Sequence, residues 1–301
     1  SSVVFQEDLG TVLDKTKRLV RQATHLAADA KLSKADARDL ERACYLCKAD
    51  LVTNTVVEFT SVQGVMGGYY ALASGETEQV AQAISQHYRP RFASDTAPDS
   101  VVGQLAAFAD KLDTVCGLIA VGQAPTGSSD PFALRRSAIG IIGMLDAGLP
   151  VSLLPAIDCA LDALMADGIS FNRTTAREAI SDFFIARTKV ILRDEGLPID
   201  AVNAVLAAGV TEPALIAART RALAAARASS PETMTDLATA FARADNLRDA
   251  SLGSKTDTSL FTPEEADLQA AIDAVTTAIP DLLNQGDYVR ALEKLAGLRA
   301  P

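Results

Sequence analysis

Apolar residues recur at intervals of three, four and seven along most of the chain, the spacing that places side chains on one face of an α-helix. Leu19, Ala23 and Leu26 follow this spacing in the first such segment. Alternating apolar and polar residues, the pattern of a half-buried strand, are nearly absent, so the chain is predicted to be all-α. The helices predicted in its first half cover residues 11–30, 33–57, 77–88 and 101–121.

Residues that favour helix starts mark several boundaries. Ser33 is predicted to cap a helix, and the acid three residues later is predicted to accept a hydrogen bond from Ser33 in return. Ser230 precedes Pro231, which suits the first position of a helix. Thr262 begins a Thr-Pro-Glu-Glu sequence that predicts a capping box with Glu265. These signals indicate a series of separate helices.

Residues 138–157 are apolar enough to be considered as a membrane span. Asp146 lies near the centre of this stretch, and Pro150 and Pro155 interrupt it. A charge at mid-span and two prolines favour a buried hairpin of short helices over a transmembrane helix. No membrane partner is therefore expected.

Composition narrows the functional classes. The 301 residues are 49% apolar and carry a formal net charge of −10, which excludes a wholly basic nucleic-acid binder but leaves room for local basic patches. Four cysteines are too few for a disulfide scaffold, and no signal peptide opens the chain, so a reduced cytoplasmic protein is expected.

The chain lacks an initial methionine and is expected to be a piece of a longer polypeptide. A domain boundary is predicted between residues 1–149 and residues 150–301.

Two motifs each admit more than one interpretation. Cys44 and Cys47 form a C-x-x-C pair, typical of a zinc half-site or a redox pair, but they are also spaced to share a buried helix face. The glycines of residues 122–129 are spaced like those of a phosphate-binding loop. Ser128 stands where that loop needs lysine, so a tight turn is favoured there. The core interpretation is likewise favoured for the cysteines.

Charged residues supply further candidates. Asp110 and Asp113 lie on one predicted helix face, where a solvated or locally paired arrangement is more common than a catalytic pair. Only two histidines occur, which argues against a multi-histidine metal centre. Two arginine pairs, at positions 89 and 91 and at positions 135 and 136, lie beside aromatic residues. Such a combination suits phosphate oxygens and stacked bases, although pairing with local acids would explain it equally well.

Five longer stretches resemble the β subunit of bacterial glycyl-tRNA synthetase, in the order of that family and across essentially the whole chain. They are VVFQEDLGTVLDKTKRL, CKADLVTNTVVEFTSVQGVMGGYYA, ISQHYRPRFASD, ADKLDTVCGLIAVGQAPTGSSDPFALRR and DTSLFTPEEADL. The resemblance implies the central-to-C-terminal part of that subunit. It implies an HD-domain-like helical domain, then a helical linker and a truncated helical domain of the anticodon-binding type.

The resemblance also implies a function. In this family the α subunit carries the site that makes glycyl-adenylate from ATP with Mg, and the β subunit binds tRNA(Gly) within an α2β2 tetramer. The chain is accordingly expected to be a noncatalytic tRNA-binding part of a ligase, with no cofactor of its own. The predicted tRNA-binding residues are Lys48, His87, Arg89, Arg91, Lys111, Arg135 and Arg136, with weaker candidates at Arg243, Arg248 and Arg290.

HD domains are named for a His-Asp pair that binds metal. The segment that resembles this helix, Leu46 to Leu51, contains no histidine, and Asp110 alone resembles a later metal-binding aspartate. A single carboxylate cannot hold a catalytic metal tightly, so no metal site is expected. An HD-type metal-dependent phosphohydrolase is the alternative function, and a purely structural module that joins subunits is a third.

Overall fold

The computed structural model describes residues 3–92, 95–249, 251 and 256–299, without the side chains of residues 233, 236, 240, 243, 247 and 299. This part of the chain is helical apart from one two-stranded antiparallel sheet, which confirms the all-α prediction. The strands are β1 (Val4–Gln6) and β2 (Gly10–Thr11). The helices are α1 (Val12–Asp29), α2 (Lys34–Leu46), α3 (Asn54–Glu58), α4 (Val65–Ala73), α5 (Glu78–Gln86), α6 (Val101–Ala120), α7 (Leu134–Asp146), α8 (Leu153–Ala166), α9 (Arg173–Asp194), α10 (Ile199–Ala207), α11 (Pro213–Ser229), α12 (Pro231–Leu247), α13 (Pro263–Asn284) and α14 (Tyr288–Ala296).

The chain divides into two compact units. The first comprises residues 1–194 with 211–215, and the second comprises residues 195–210 with 216–301. The boundary expected near residue 149 lies inside the first unit, in the turn between α7 and α8. The compact units and the predicted domains therefore divide the chain at different places.

Helix α6 is the centre of the first unit. It packs against α1, α2, α5, α7, α8 and α9. A helix surrounded in this way must be apolar on nearly every face, and most of the side chains of α6 are buried. Its charged residues Asp110, Lys111 and Asp113 are buried with the rest, so each needs a partner inside the protein.

Side chains cap several helix starts, including two of the three positions predicted. Thr11 and Thr262 form capping boxes with Asp14 and Glu265, and the Ser33 hydroxyl accepts a hydrogen bond from the backbone N–H of Asp36. Ser230 precedes α12 as predicted, but its side chain makes no capping hydrogen bond. The side chains of Thr11, Ser33 and Thr262 thus satisfy backbone N–H groups that a helix start otherwise leaves unpaired.

The predicted helix from Ser33 to Val57 was too long. Helix α2 ends at Leu46, and a 3₁₀ turn and the short helix α3 follow. In the turn, the buried carboxylate of Asp50 accepts hydrogen bonds from the backbone N–H groups of Gly64 and Gly67, at 2.6 and 3.1 Å. A continuous helix could not turn this carboxylate inward onto a segment 14 residues further along the chain.

Residues 138–157 form two helices, as predicted. Gly148 allows the turn between α7 and α8 because its φ of +96° lies in the left-handed region. Within the described part of the chain, no helix is long and apolar enough to cross a membrane. The start of α8 is capped from a distance, because Glu212 accepts hydrogen bonds from the N–H groups of Leu153 and Leu154, and Asp29 accepts one from Ser152.

The second unit consists of α10, most of α11, α12, α13 and α14. Helices α13 and α14 pack against each other, and α12 packs against α14. An apolar groove of about 280 Å³ is lined by Val205, Leu223, Leu283, Leu292 and other residues of this unit. Residues 251–259 (SLGSKTDTS) are small and polar, which predicts a surface loop, and residues 252–255 of this stretch lie outside the described residues.

Candidate nucleic-acid interface

Four parts of the first unit surround one open cleft: residues 61–65 at the start of α4, the end of α5 with the segment after it, the middle of α6 and the start of α7. Its volume is about 350 Å³. We define the cationic cleft by the side chains that give it its character, and these are Tyr88, Arg89, Arg91, Lys111, Phe132 and Arg136. Four of the seven predicted tRNA-binding residues, which are separate in the sequence, therefore line one surface.

The segment after α5 supplies two of the arginines. Arg91 is exposed and pairs with Asp95, with its Nε 3.0 Å from Oδ2. The Asp95 side chain is only 10% exposed and also accepts hydrogen bonds from the backbone N–H groups of Arg91 and Thr96, so this pair holds Arg91 at the edge of the cleft. Among the described residues, no carboxylate pairs with Arg89 or with Arg136. These two guanidinium groups are consequently available to an external anion.

The start of α7 orients Phe132 and Arg136 towards the cleft. Asp130 caps the helix, with Oδ1 and Oδ2 accepting hydrogen bonds from the N–H groups of Leu134 and Arg135 at 2.8 and 3.0 Å. Ala133, which lies between Phe132 and Leu134, has φ +53° and ψ +39°, a left-handed conformation that costs a non-glycine residue about 1 kcal/mol. The strained turn exposes Phe132 at the edge of the cleft.

Arg135 is directed elsewhere. Its guanidinium donates a hydrogen bond of 2.7 Å to the backbone oxygen of Gly127, in the turn that the sequence predicted over 122–129. Because Arg135 and Arg136 are adjacent on a helix, their side chains leave it about 100° apart. The predicted pair therefore supplies one cation to the cleft and uses the other to hold a turn.

Lys111 forms part of the floor. Its ammonium group donates a hydrogen bond of 2.8 Å to the backbone oxygen of Tyr88. Burial lowers the pKa of Lys111 to about 8, and the nearby charges of Lys48 and Lys15 act in the same direction against the opposing effect of Asp110. Lys111 is thus a cation whose charge changes near neutral pH.

A network of buried charges lies beneath the floor. The ammonium group of Lys48 is 2.9 Å from Oδ2 of Asp110 and 2.8 Å from Nε2 of His87, and the ammonium of Lys15 is 3.2 Å from Oδ1 of Asp110. Burial alone would raise the pKa of Asp110, but the two lysines hold it well below its ordinary value. Burial lowers the pKa of Lys48, yet the Asp110 carboxylate more than compensates and raises it.

His87 is held as a neutral imidazole in this network. Its Nδ1 lies 2.6 Å from the backbone oxygen of Ile84, to which it donates, and Nε2 accepts a hydrogen bond from Lys48. Burial lowers the pKa of His87 to about 3, and the adjacent ammonium of Lys48 adds to this effect. Lys48 and His87 were predicted to contact RNA, but both are buried in this network, so they support the cleft from below.

A second buried network joins α1 to α6. The guanidinium of Arg18 binds both oxygens of Asp113, with Nε–Oδ1 at 2.8 Å and Nη2–Oδ2 at 3.1 Å, and both side chains are fully buried. Asp110 and Asp113 are thus paired in the core with distant lysines and an arginine, and the predicted solvated or locally paired arrangement is wrong. Lys15 and Arg18 were not predicted from the sequence, although a signal exists: Lys15 lies four residues before Leu19 on the apolar face of α1.

A metal ion does not fit the residues around Asp110. Its carboxylate and the His87 imidazole both bind the Lys48 ammonium, which a metal ion would have to displace. Within the described part of the chain, no group of three or more His, Cys, Asp or Glu side chains is placed to hold a metal. Cys44 and Cys47 lie in the core, where burial raises the pKa of the Cys47 thiol to about 12.

A larger cavity of about 840 Å³ in the same unit has the opposite charge. Glu7, Asp8, Asp14 and Asp167 line it. These carboxylates would repel a phosphate, so the cationic cleft is the better candidate of the two for a nucleic acid.

The weaker candidates of the second unit form local ion pairs. Arg248 lies 3.7 Å from Asp245, and Arg290 lies 3.6 Å from Asp287. The side chain of Arg243 lies outside the described residues. Each pair joins residues three positions apart at a helix end, Arg248 just after α12 and Asp287 just before α14, and such local pairs are common on solvated surfaces.

Comparison with known proteins identifies relatives of the chain. The family model described as glycyl-tRNA synthetase beta subunit matches residues 1–207. The glycine–tRNA ligase beta subunit of Mannheimia succiniciproducens is 42% identical over 303 residues, which cover 99% of this chain. Proteins of the same name from Haemophilus influenzae and Desulforamulus reducens are 41% and 39% identical over 100% and 99% of the chain. The chain spans about 43% of the length of each of these relatives.

Proposed function

The chain belongs to the glycyl-tRNA synthetase beta subunit family, and on that premise we propose that it is a noncatalytic tRNA-binding part of a glycine–tRNA ligase, with its contact surface at the cationic cleft. The observation that carries the proposal is the convergence of Arg89, Arg91, Lys111 and Arg136 on one cleft of an otherwise acidic protein. Guanidinium groups match phosphate oxygens in geometry and stay charged at every physiological pH.

The net charge of −10 limits the places where RNA can bind this protein. An acidic surface repels the phosphate backbone, so RNA approaches favourably only where cations gather. The cleft would therefore fix one orientation of the tRNA. Contacts of this kind position the nucleic acid, whereas sequence is read from base edges.

The proposal extends to the assembly. We assign glycyl-adenylate formation from ATP and Mg to an α subunit, tRNA(Gly) as the RNA partner, an α2β2 tetramer in the cytoplasm, and no cofactor to this chain. Residues 1–149 would then be the HD-domain-like part, and residues 150–301 the helical linker with the beginning of an anticodon-binding-type domain. The Lys48 ammonium supports a noncatalytic role because it occupies the position between Asp110 and His87 that a metal would need.

The test uses the complete β subunit assembled with its α partner. The double variant Arg89→Ala with Arg136→Ala is compared with the parent in tRNA binding, measured by fluorescence anisotropy over a range of KCl concentrations. We expect weaker binding at low salt and a log–log salt dependence that is shallower by about 1 for each phosphate that the variant no longer neutralises. ATP–pyrophosphate exchange with glycine should stay unchanged, because it needs no tRNA.

Arg38→Ala is the matched control. Arg38 is an exposed arginine on α2 of the same unit and does not line the cleft. It should leave affinity and salt dependence close to those of the parent. If the double variant behaves like this control at every salt concentration, the cleft is not the tRNA contact.

A further inference from the structure

The cationic cleft contains more than a phosphate site. Arg89, Lys111 and Arg136 lie in it together with the rings of Tyr88 and Phe132. A concave site of about 350 Å³ falls in the range that encloses small organic groups, and a base-paired helix is too wide to enter it. Cations beside aromatic rings in a groove are typical of sites for unpaired nucleotides, where bases stack on the rings.

Phe132 is the ring best placed for stacking. It is 40% exposed at the edge of the cleft, and among the described residues no other ring or cation covers it. Exposing a large apolar ring is unfavourable for an isolated protein. The adjacent left-handed Ala133 and the Asp130 cap nevertheless hold it there.

Tyr88 forms a firmer wall. The Lys48 ammonium lies 3.8 Å from the centre of its ring, and the His87 ring lies 3.9 Å away on a tilted plane. The buried network therefore fixes the position of this ring. The polar side chains of Ser61, Gln63 and Ser137 also line the cleft and can hydrogen-bond to a base edge.

Among the described residues that line the cleft, Asp110 is the one acid, and it does not reverse the positive charge of the cleft. Asp110 lines it, but Lys15 and Lys48 pair with that carboxylate from below. The cleft therefore keeps the net positive charge of its arginines. An anionic group entering from solvent meets guanidinium groups at the rim, and an aromatic group meets Phe132.

We infer that the cationic cleft accommodates a single unstacked nucleotide of single-stranded RNA, with its phosphate on Arg89 and Arg136 and its base against Phe132. This inference rests on the proposed function and names the part of the RNA that the cleft receives. It distinguishes the cleft from a surface that follows the phosphates of an intact duplex, because such a surface has no use for an exposed ring.

The test compares two RNA probes on the complete β subunit. One is a fluorescein-labelled nine-nucleotide single strand, and the other is the same strand annealed to its complement. Phe132→Ala should weaken binding of the single strand about fivefold or more and leave duplex binding unchanged. Phe132→Tyr should restore single-strand binding, because it restores the ring.

Phe241→Ala is the matched control, since Phe241 is a 69% exposed phenylalanine of the second unit. It should change neither affinity. Thermal unfolding followed by circular dichroism should give the Phe132 variants a melting temperature close to the parent's, because Phe132 lies outside the hydrophobic core.

The outcomes distinguish a failure of this inference from a failure of the proposed tRNA-binding function. If Phe132→Ala leaves single-strand binding unchanged while Arg89→Ala with Arg136→Ala weakens it, the cleft binds phosphate only and the inference is wrong. If neither the ring nor the arginines matter for any RNA probe, the proposed function fails as well. Adenosine and guanosine monophosphates provide a last arm: a free nucleotide that binds more tightly than the single strand would identify a metabolite, and not RNA, as the occupant.

Discussion

The ammonium nitrogen of Lys48 lies 2.9 Å from Oδ2 of Asp110, and this ion pair is enclosed beneath the floor of the cationic cleft. Moving two charges out of water is unfavourable, and their attraction compensates only when the remaining hydrogen bonds are also made. Here His87 accepts a second hydrogen bond from Lys48, and Lys15 provides Asp110 with a second cation. The pair therefore connects the stability of the first unit to the shape of its cleft.

Removing one partner of this pair should be costly. Lys48→Met keeps the length of the side chain but leaves His87 without its donor and Asp110 with only one cation. We expect the free energy of unfolding to fall by about 3–5 kcal/mol, measured by urea denaturation. Lys17→Met is the control, because Lys17 is exposed and its pair with Asp14 is long, at 3.6 Å; it should cost less than about 1 kcal/mol.

His87 should make stability depend on pH. Its pKa is about 3 in the folded protein and 6.5 in an unfolded chain, so between these values the unfolded state binds a proton that the folded state does not. Stability therefore rises with pH across this window and is lost as the pH falls, by at most about 1.4 kcal/mol for each pH unit.

The control for this prediction is His87→Gln, whose side chain does not titrate. Between pH 6.5 and 4.5, its free energy of unfolding should vary less with pH than that of the parent. Asp110 contributes a separate loss only below its ordinary pKa of 3.8, because its folded pKa is lowered. Parallel curves for parent and variant would show that His87 is protonated in the folded protein.

Lys111 should make RNA binding depend on pH in a different range. With a pKa of about 8, it is charged below this value and neutral above it. If a bound phosphate raises that pKa by one unit, affinity should fall about tenfold from below pH 8 to above pH 9.

The charge of Lys111 can be tested separately from its volume. Lys111→Arg should stay charged and bind RNA equally well at pH 7 and pH 9, whereas Lys111→Met should bind weakly at both. Anisotropy titrations at constant ionic strength measure the effect. If the affinity of Lys111→Arg falls between pH 7 and pH 9 as the parent's does, Lys111 is not part of the contact.

Neighbouring arginines on α7 should differ in effect. Arg136→Ala is expected to weaken tRNA binding and lower the salt dependence by about 1, because Arg136 faces the cleft. Arg135→Ala should change tRNA affinity much less, since Arg135 holds the backbone of Gly127. Equal losses in the two variants would contradict this orientation of α7.

Two helical glycines should respond to alanine with opposite signs. A Cβ at Gly68 would lie 2.8 Å from the backbone oxygen of Ala81, so Gly68→Ala should push α4 away from α5 and cost about 1–3 kcal/mol. A Cβ at Gly143 meets nothing within 4 Å, so Gly143→Ala should stabilise α7 by about 0.5–1 kcal/mol. Urea unfolding of both variants measures the difference.

Local signals allowed much of the fold to be predicted. The cap of α2 and the capping box of α13 involve residues three positions apart, and the turn at Gly148 depends on one glycine. Such features depend on the chain close to each position, so the sequence displays them directly. The end of α2 was missed because it depends on Asp50 reaching Gly64, a contact that no short window contains.

Only part of the candidate site could be predicted, because its assembly also depends on contacts between distant parts of the chain. The arginine pairs were visible as residue types, and Phe132 as their neighbour. Which arginine of a pair enters the cleft depends on how α5, α6 and α7 pack, and that arrangement separated Arg136 from Arg135. The burial of Lys48 likewise depends on α6 bringing Asp110 to it from 62 positions further along.

The distant capping of α8 has a practical consequence for dissecting this protein. Glu212 satisfies the N–H groups of Leu153 and Leu154, although it follows them by 59 and 58 positions. A truncation after residue 194 would discard this acceptor and expose the first turn of α8 to fraying. Expression of the first unit alone should therefore retain residues 211–215. This also requires the 16 residues 195–210, which belong to the second unit.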